Sequence, residues 1–396
     1  MEAAGFGGRM GKLGRVAVSL AGLLAPATQA AVDETDPLIV HADVSTVYDS
    51  NVFRLADGVP AAQYGGSKAD VIVDPSVGIR ANWPVSRQVL LLDAQLSRPT
   101  YTRHRQLDYT GWQGLLAWDW QWGSAWSGRL GYSDERTLSE FEDVQLGIKD
   151  LVRKQGGELS TAYALTSDWA LQGSLTSSRQ QHDRRRYLDL RQDGAGGGVR
   201  YRSGLGGEVS ARLDYMQVEY SEALLTMPAD ERGYRQWQAR LGGVWPLGAK
   251  TRLQAGYGWT NWKYRIEDDW QRSPTGDIAL SWQASEKTRL YADYRRAFEA
   301  PGQNIGRNLI EGYGVGGAWQ ATALVGVELS WRREDKQLRQ VLAYSQQTDY
   351  WRLGLKYRPD PAWQLSVYGQ HQARDSALSQ NDYRAVQAGV DLKVMF

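Results

Sequence analysis

The chain has 396 residues, of which 42% are hydrophobic and 23% charged, with a formal net charge of +1. A mean hydropathy of -0.51 excludes a bundle of membrane helices, and 17 Trp with 21 Tyr exclude a solvating, disordered chain. The absence of Cys removes disulfides, thiolate metal sites and Cys nucleophiles together, and the near-neutral charge argues against a nucleic-acid partner.

At the N-terminus, Arg9, Lys12 and Arg15 precede an apolar run from Val16 to Ala25, and Thr28-Gln29-Ala30 ends on a small residue. Residues 1–30 therefore read as a secretory signal peptide cleaved after Ala30. A run of about ten apolar residues is too short to cross a bilayer as a helix. The mature domain is expected over 31–396.

Beyond that point the chain alternates apolar and polar residues with the period of a strand. Val209, Ala211, Leu213 and Tyr215 oppose Ser210, Arg212 and Asp214. Trp237, Ala239, Leu241 and Trp245 oppose Gln238 and Arg240, and Leu253, Ala255, Tyr257 and Trp259 oppose Arg252 and Gln254. Leu290, Ala292 and Tyr294 oppose Arg289, Tyr291, Asp293 and Arg295, and Trp351, Leu353, Leu355 and Tyr357 oppose Arg352, Lys356 and Arg358. One face is apolar and aromatic, the other charged.

The segments have the length that a tilted transmembrane strand needs. Short turns recur near 83–87, 123–125, 167–169, 203–206, 246–250, 285–288, 320–323 and 359–362. All but the fourth have Trp beside them: Trp83, Trp122 and Trp126, Trp169, Trp245, Trp282, Trp319 and Trp363. Longer polar connections lie near 49–69, 139–150, 184–193, 221–232, 268–275, 300–309, 335–347 and 375–381, with 104–107 a shorter member of that set. Tight periplasmic turns under an aromatic girdle, with longer loops outside, are the asymmetry of a membrane barrel. The expectation is an all-β, transmembrane outer-membrane β-barrel of about eighteen antiparallel strands with both termini periplasmic. A β-propeller is the rival, since the short turns recur about every forty residues, but each interval holds two long strands rather than four short ones. The last strand places Val386, Ala388, Val390, Leu392, Val394 and Phe396 on one face, and its terminal aromatic resembles the sorting signal of outer-membrane proteins.

Few residues carry chemistry. The string Gly312-x-Gly314-x-x-Gly317 has the spacing of a dinucleotide fingerprint, but strand sequence follows it instead of a helix. His182-Asp183, with Ser177 and Ser178 upstream, is the one hydrolase-like constellation; adjacent strand residues point to opposite faces, so the pair is not expected to act together. No catalytic residue, cofactor or metal is assigned. The basic run Arg184-Arg185-Arg186, flanked by Arg179 and Arg191, suits phosphate or carboxylate, lipopolysaccharide phosphates included; a solvated loop explains it equally. The acidic groups Glu140, Glu142, Asp143 and Glu267, Asp268, Asp269 lack a calcium-loop spacing.

The opposed polar faces supply the candidate lumen lining: Arg212, Asp214, Gln238, Arg240, Arg252, Gln254, Arg289, Tyr291, Asp293, Arg295, Arg352 and Arg358, with Gln364, Tyr368, Gln370 and Gln372. Mixed charges with amides and tyrosines suit neutral or mildly charged sugars better than a single-sign ion filter does. Opposed Arg and Asp also simply stiffen a wall. The expected surroundings are outer-membrane lipid and lipopolysaccharide. Three roles compete: a polysaccharide path, a general or substrate-uptake porin for small solutes, and a structural or adhesive surface protein.

The segment Tyr48-Asp49-Ser50-Asn51-Val52-Phe53-Arg54-Leu55, after Asp36-Pro37-Leu38, resembles the start of the EpsL-type exopolysaccharide-biosynthesis outer-membrane proteins. Leu355-Lys356-Tyr357-Arg358-Pro359 and the strand opening at Trp363 are similar in style to that family's closing hairpins. The resemblance implies the outer-membrane member of a pathway that synthesises and exports exopolysaccharide. The reading built on it is a monomeric barrel that conducts or supports export of the polysaccharide, with periplasmic or inner-membrane export components as partners. It brings no catalytic residues. A local turn built by Asp49 and Asn51 explains the Tyr48, Asp49, Asn51, Phe53 and Arg54 string without a ligand.

Overall fold

In the computed structural model, residues 36–142, 147–221, 233–265, 268–300, 307–339 and 343–396 are described. The expected signal peptide over 1–30 lies outside them, as do Asp143 and Glu267. The first strands are β1 (Leu38–Asp49), β2 (Asp70–Val85), β3 (Gln88–Ser97), β4 (Thr100–Tyr101), β5 (Gly111–Trp122), β6 (Trp126–Leu138), β7 (Leu151–Ala164), β8 (Trp169–His182) and β9 (Leu190–Arg202). The remainder are β10 (Glu208–Tyr220), β11 (Gly233–Pro246), β12 (Thr251–Tyr264), β13 (Gln271–Gln283), β14 (Thr288–Phe298), β15 (Leu309–Gln320), β16 (Val325–Arg339), β17 (Ala343–Asp360), β18 (Trp363–Ser376) and β19 (Tyr383–Met395).

Every strand pairs antiparallel with its neighbour, and β1 pairs with both β2 and β19, so the sheet closes on itself without an edge. β4 is a two-residue continuation of β3. It rejoins β2 through Ile72 opposite Tyr101, after Pro99, whose missing N–H cannot serve the ladder. The wall therefore has the eighteen strands expected, enough for an aqueous bore. In a bilayer only a closed sheet satisfies every strand's backbone in this way.

The alternation assigns the faces as expected. Leu213, Leu241, Tyr257, Leu329 and Leu353 are exposed on the outer face, where lipid would cover them. Aromatic pairs stand directly opposite one another across neighbouring strands: Trp126 with Tyr163, Trp169 with Tyr201, and Tyr215 with Trp237, at ring separations of 4.8, 4.9 and 4.7 Å. Each contributes about 0.2–1 kcal/mol. Trp83, Trp122, Trp169, Trp282, Trp319, Trp363 and Phe396 are exposed at the short-turn end. Trp245 is half-buried because its ring lies back over the space left by Gly243.

Three outer connections differ from expectation. Strand β13 starts at Gln271, inside the expected loop 268–275, and β9 starts at Leu190, inside 184–193. The expected loop 335–347 is largely strand, β16 running to Arg339 and β17 starting at Ala343. The ladder outlives the apolar pattern there because charge pairs take over the contacts: Arg333 bridges Asp349 at 2.9 Å.

Three outer turns share one construction. The 3-10 turns Arg105–Leu107, Arg186–Leu188 and Ser379–Asn381 each precede an Asp. Asp108, Asp189 and Asp382 then accept the backbone N–H of Tyr101, His182 and Ser376 at 2.7, 2.6 and 2.7 Å. The carboxylate satisfies the donor left free where the ascending strand ends.

Candidate conduction path

The polar faces line the inside of the barrel, and their side chains lie along the wall. Arg212 bonds Asp214 at 2.8 Å and Ser174 at 3.0 Å. Arg240 meets Asp277 at 2.5 Å, and Gln238 donates to Thr275 at 3.3 Å. Tyr291 donates to Glu328 at 2.8 Å, Arg332 approaches Asp293 at 3.9 Å, and Arg352 lies 4.1 Å over the Tyr368 ring while reaching Gln370 at 3.3 Å.

Glycines on the next strand make this flat arrangement fit. A Cβ on Gly196 would stand 2.0 Å from Asp214 Oδ1, and one on Gly256 would stand 2.1 Å from Arg240 Nη2. Gly314 and Gly316 lie under Asp293 and Tyr291 in the same way, so Gly314 of the Gly312-x-Gly314-x-x-Gly317 string serves the wall of the barrel. Long side chains fold onto glycine instead of projecting into the bore.

At the periplasmic end, Arg289, Arg352, Lys356, Glu328, Gln364 and Asp391 surround an open recess of mixed charge. Gln254 is half-buried on an inward position of β12, Arg295 is exposed on an inward position of β14, and Arg252 is exposed at the periplasmic rim. Arg358 does not reach into the path. The register of β17 slips between Tyr357 and Asp360, and the guanidinium turns back to the Pro361 carbonyl at 3.3 Å.

At the outer mouth, described parts of the connections fold inward. After Asp49, whose side chain is buried, the chain turns in rather than out. Asn51 N–H donates to Asp49 at 2.8 Å, Asn51 Oδ1 accepts from Leu55 N–H at 2.9 Å, and Asn51 Nδ2 donates to the Leu55 carbonyl at 2.8 Å. Arg54 takes a left-handed φ of 55° to place its guanidinium 2.9 Å from Asp49. Both side chains are 4% exposed. Burial works against the charge of Arg54, but Asp49, with Tyr383 and Glu142 nearby, outweighs it and raises the pKa. Tyr48 alone of the string faces outward and is exposed.

Above this turn sits an apolar cluster of Val52, Phe53, Leu55, Tyr101 and Leu107. Phe53 packs on Tyr64, His104 and Phe141 at 5.3, 4.8 and 5.1 Å. Phe141 arrives from the connection after β6, and the next residue, Glu142, reaches further. Glu142 accepts from Gln372 at 2.5 Å and from Tyr350 at 3.5 Å, and lies 3.8 Å from Arg374. Those partners are on β17 and β18, the latter six places round the ring from β6. Glu142 is thus an internal strut rather than an external cation ligand.

A second inward segment lies on the other side of the mouth. Leu190, Val218 and Tyr234 form a buried cluster. Arg307 stacks on Tyr234, Trp262 and Phe298 at 4.6, 5.6 and 3.9 Å, and burial lowers its pKa despite Tyr234.

The hydrolase-like residues do not assemble. His182 bonds Asp150 at 2.8 Å, Asp183 turns to Arg136 at 3.4 Å, and Ser177 donates to Asp193 at 2.7 Å. Arg185 is spent on Asp150 at 2.7 Å, and the Arg184 N–H bonds the same carboxylate at 2.8 Å. Arg184 and Arg186 remain exposed. The roles of Asp150, Glu142, Arg374 and Arg307 are not visible in the sequence. Each bonds or stacks on a residue far away in the chain, which no local pattern reveals.

No protein-family profile matches the chain, and no curated protein matches it. Among solved structures, OpdK from Pseudomonas aeruginosa with vanillate aligns at TM-score 0.51 and 11% identity, over 91% of this chain and 99% of that one. A second structure of the same protein, named OccK1 (OpdK), aligns with the same values. The alcaligin receptor FauA from Bordetella pertussis aligns more loosely, at TM-score 0.46 and 13% identity, over 93% and 77% of the two chains. Likeness at such identity concerns the fold. With its closed eighteen-strand wall, apolar outer face and aromatic girdle, the chain is a bacterial outer-membrane β-barrel.

Proposed function

We propose that the protein is a diffusion channel for small polar solutes whose outer mouth is narrowed by its own folded-in connections. The observation that carries this is Glu142 crossing the mouth to Gln372 and Arg374. It leaves a selective opening above a lining that the glycines keep flat. Beneath it, Arg289, Arg352 and Lys356 stand beside Glu328 and Asp391 at the periplasmic exit. Such a path holds a solute through several weak contacts, which lets it both enter and leave. The OpdK structure contains vanillate, so a small organic anion is the first solute to try. The test is purified barrel in planar bilayers and in solute-swelling liposomes. A resting conductance with permeation of small acids or sugars supports the reading. A sealed bilayer that stays impermeable to every solute overturns it.

A second reading keeps the barrel and changes the cargo to an exported polysaccharide. It rests on the Tyr48–Leu55 resemblance, and it requires the inward segments to move aside for a polymer. Deletion with plasmid complementation separates the two: loss of surface polymer with periplasmic accumulation favours export, and unchanged pools favour solute uptake. If export is correct, joint substitution of Arg240, Arg252 and Arg289 should impair it without impairing assembly.

A further inference from the structure

On the outer face, at the extracellular ends of β11, β12 and β13, three cations stand together: Arg235, Lys263 and Arg272. Arg235 is directly opposite Lys263 in the ladder, and Arg272 is opposite Asn261, one diagonal step from Lys263. Parity puts all three outside, since Trp237, Trp259 and Ile278 on the same strands are exposed there. Like charges directly opposite each other destabilise a sheet, yet none of the three makes an ion pair among the described residues. Lys263 lies 5.6 Å from the Trp270 ring and Arg272 lies 4.8 Å over Trp259. Of the outer-face carboxylates on adjoining strands, Glu219 and Asp193 are engaged elsewhere, and the exposed Asp268 and Asp269, in the connection between β12 and β13, bridge none of the three. Glu219 accepts from Gln217 at 2.9 Å and approaches Arg265 at 4.0 Å, and Asp193 holds Arg191 at 2.8 Å.

Directly below Arg235 on the same strand is Trp237, which forms one wall of a shallow apolar groove. Leu159, Leu175, Leu213 and Tyr215 make its other walls, and Gly173, Ala195 and Gly197 make its floor. A cationic head site thus sits at the end of an acyl-sized furrow, at the level of the outer leaflet's head groups.

We propose that this is a binding site for one lipopolysaccharide molecule, with its phosphates on Arg235, Lys263 and Arg272 and an acyl chain in the groove ending at Trp237. The charge complementarity selects the occupant. A dianionic phosphate relieves the Arg235–Lys263 opposition, and the aromatic rings hold Lys263 and Arg272 towards it.

The test titrates the folded, full-length mature barrel in detergent with purified lipopolysaccharide and counts retained lipid after size exclusion. The comparison is with the triple variant Arg235→Gln, Lys263→Gln, Arg272→Gln, whose folding is checked by heat-modifiable gel mobility. The expected result is saturable retention by the parent and binding about a hundredfold weaker in the variant. Lipopolysaccharide stripped of its phosphates should bind the parent as weakly as the intact lipid binds the variant. Equal retention by parent and variant overturns the proposal. So does equal binding of the dephosphorylated lipid, or displacement at equal concentration by phosphatidylglycerol, which would mean a general anionic-lipid surface. Should the triple variant fail to fold, Lys263→Gln alone is compared, with a several-fold loss expected and no loss decisive against.

Discussion

Glu142 and Gln372 are 230 residues apart in sequence and 2.5 Å apart in space, the carboxylate of one accepting the amide N–H of the other inside the barrel mouth. Arg374 is 5% exposed and lies 3.8 Å from the same carboxylate, and Tyr350 donates to it as well. One side chain therefore ties the connection after β6 to the opposing wall.

Glu142→Ala should release that strut. Removing one partner from a buried ion pair costs about 3–5 kcal/mol, and here the cost falls on the closed arrangement of the mouth, not on the wall. Single-channel recording should show a higher or noisier conductance, with heat-modifiable gel mobility unchanged. Conductance identical to the parent would mean that Glu142 does not restrict the path.

Arg54→Ala leaves Asp49 buried without its cation and should destabilise the inward turn by about 3–5 kcal/mol. The double variant Asp49→Asn, Arg54→Ala should recover part of that loss, because no uncompensated charge remains. Proteolysis within 50–69, followed for the parent, the single variant and the double variant, reads the difference. Additive losses would show that the two residues act independently.

The glycines of the wall make two opposite predictions. Gly256→Ala meets the movable end of Arg240, which can swing from Asp277 into the bore; conductance should fall while assembly is normal. Gly258→Ala meets the backbone carbonyl of Ala239 at 2.0 Å, which cannot swing away; folding yield should fall. The same response in both variants would refute this division.

The outer turn around Asp150 should resist acid. Burial alone would raise the pKa of this carboxyl, but hydrogen bonds from His182, Arg185 and the Arg184 N–H lower it overall. Because the folded value lies below the unfolded one of about 3.9, the stabilisation is complete above the unfolded value. It is lost only as pH falls further, through the folded value. Hydrogen exchange at the Arg184 and Arg185 amides should therefore respond to this carboxyl only below about pH 4. Asp150→Asn should speed that exchange already at pH 7. An Asp150-dependent rise in exchange between pH 7 and 5 would contradict the assignment.

The sequence alone determined the strands, their inward and outward faces, and the end of the barrel that carries the girdle. These are local properties. A strand alternates every two residues, lipid and water sort the two faces, and Trp marks the short turns, so Leu213 and Arg212 declare their sides without knowledge of their neighbours. Even the turn at Asp49 and Asn51 was legible, because its bonds span few residues.

Only the tertiary structure decided what stands inside the barrel. The six-place reach of Glu142, the stacking of Arg307 on Tyr234 and Phe298, and the fit of Asp214 over Gly196 depend on register and closure. Closure brings together residues that the chain separates by tens to hundreds of positions. The same polar alternation describes an open bore and one crossed by its own connections. What distinguishes them is the direction in which the chain leaves Asp49 and Leu138. The first is turned inward by the local bonds of Asp49, Asn51 and Arg54, and the second is held across the mouth by the partners of Glu142 on β17 and β18.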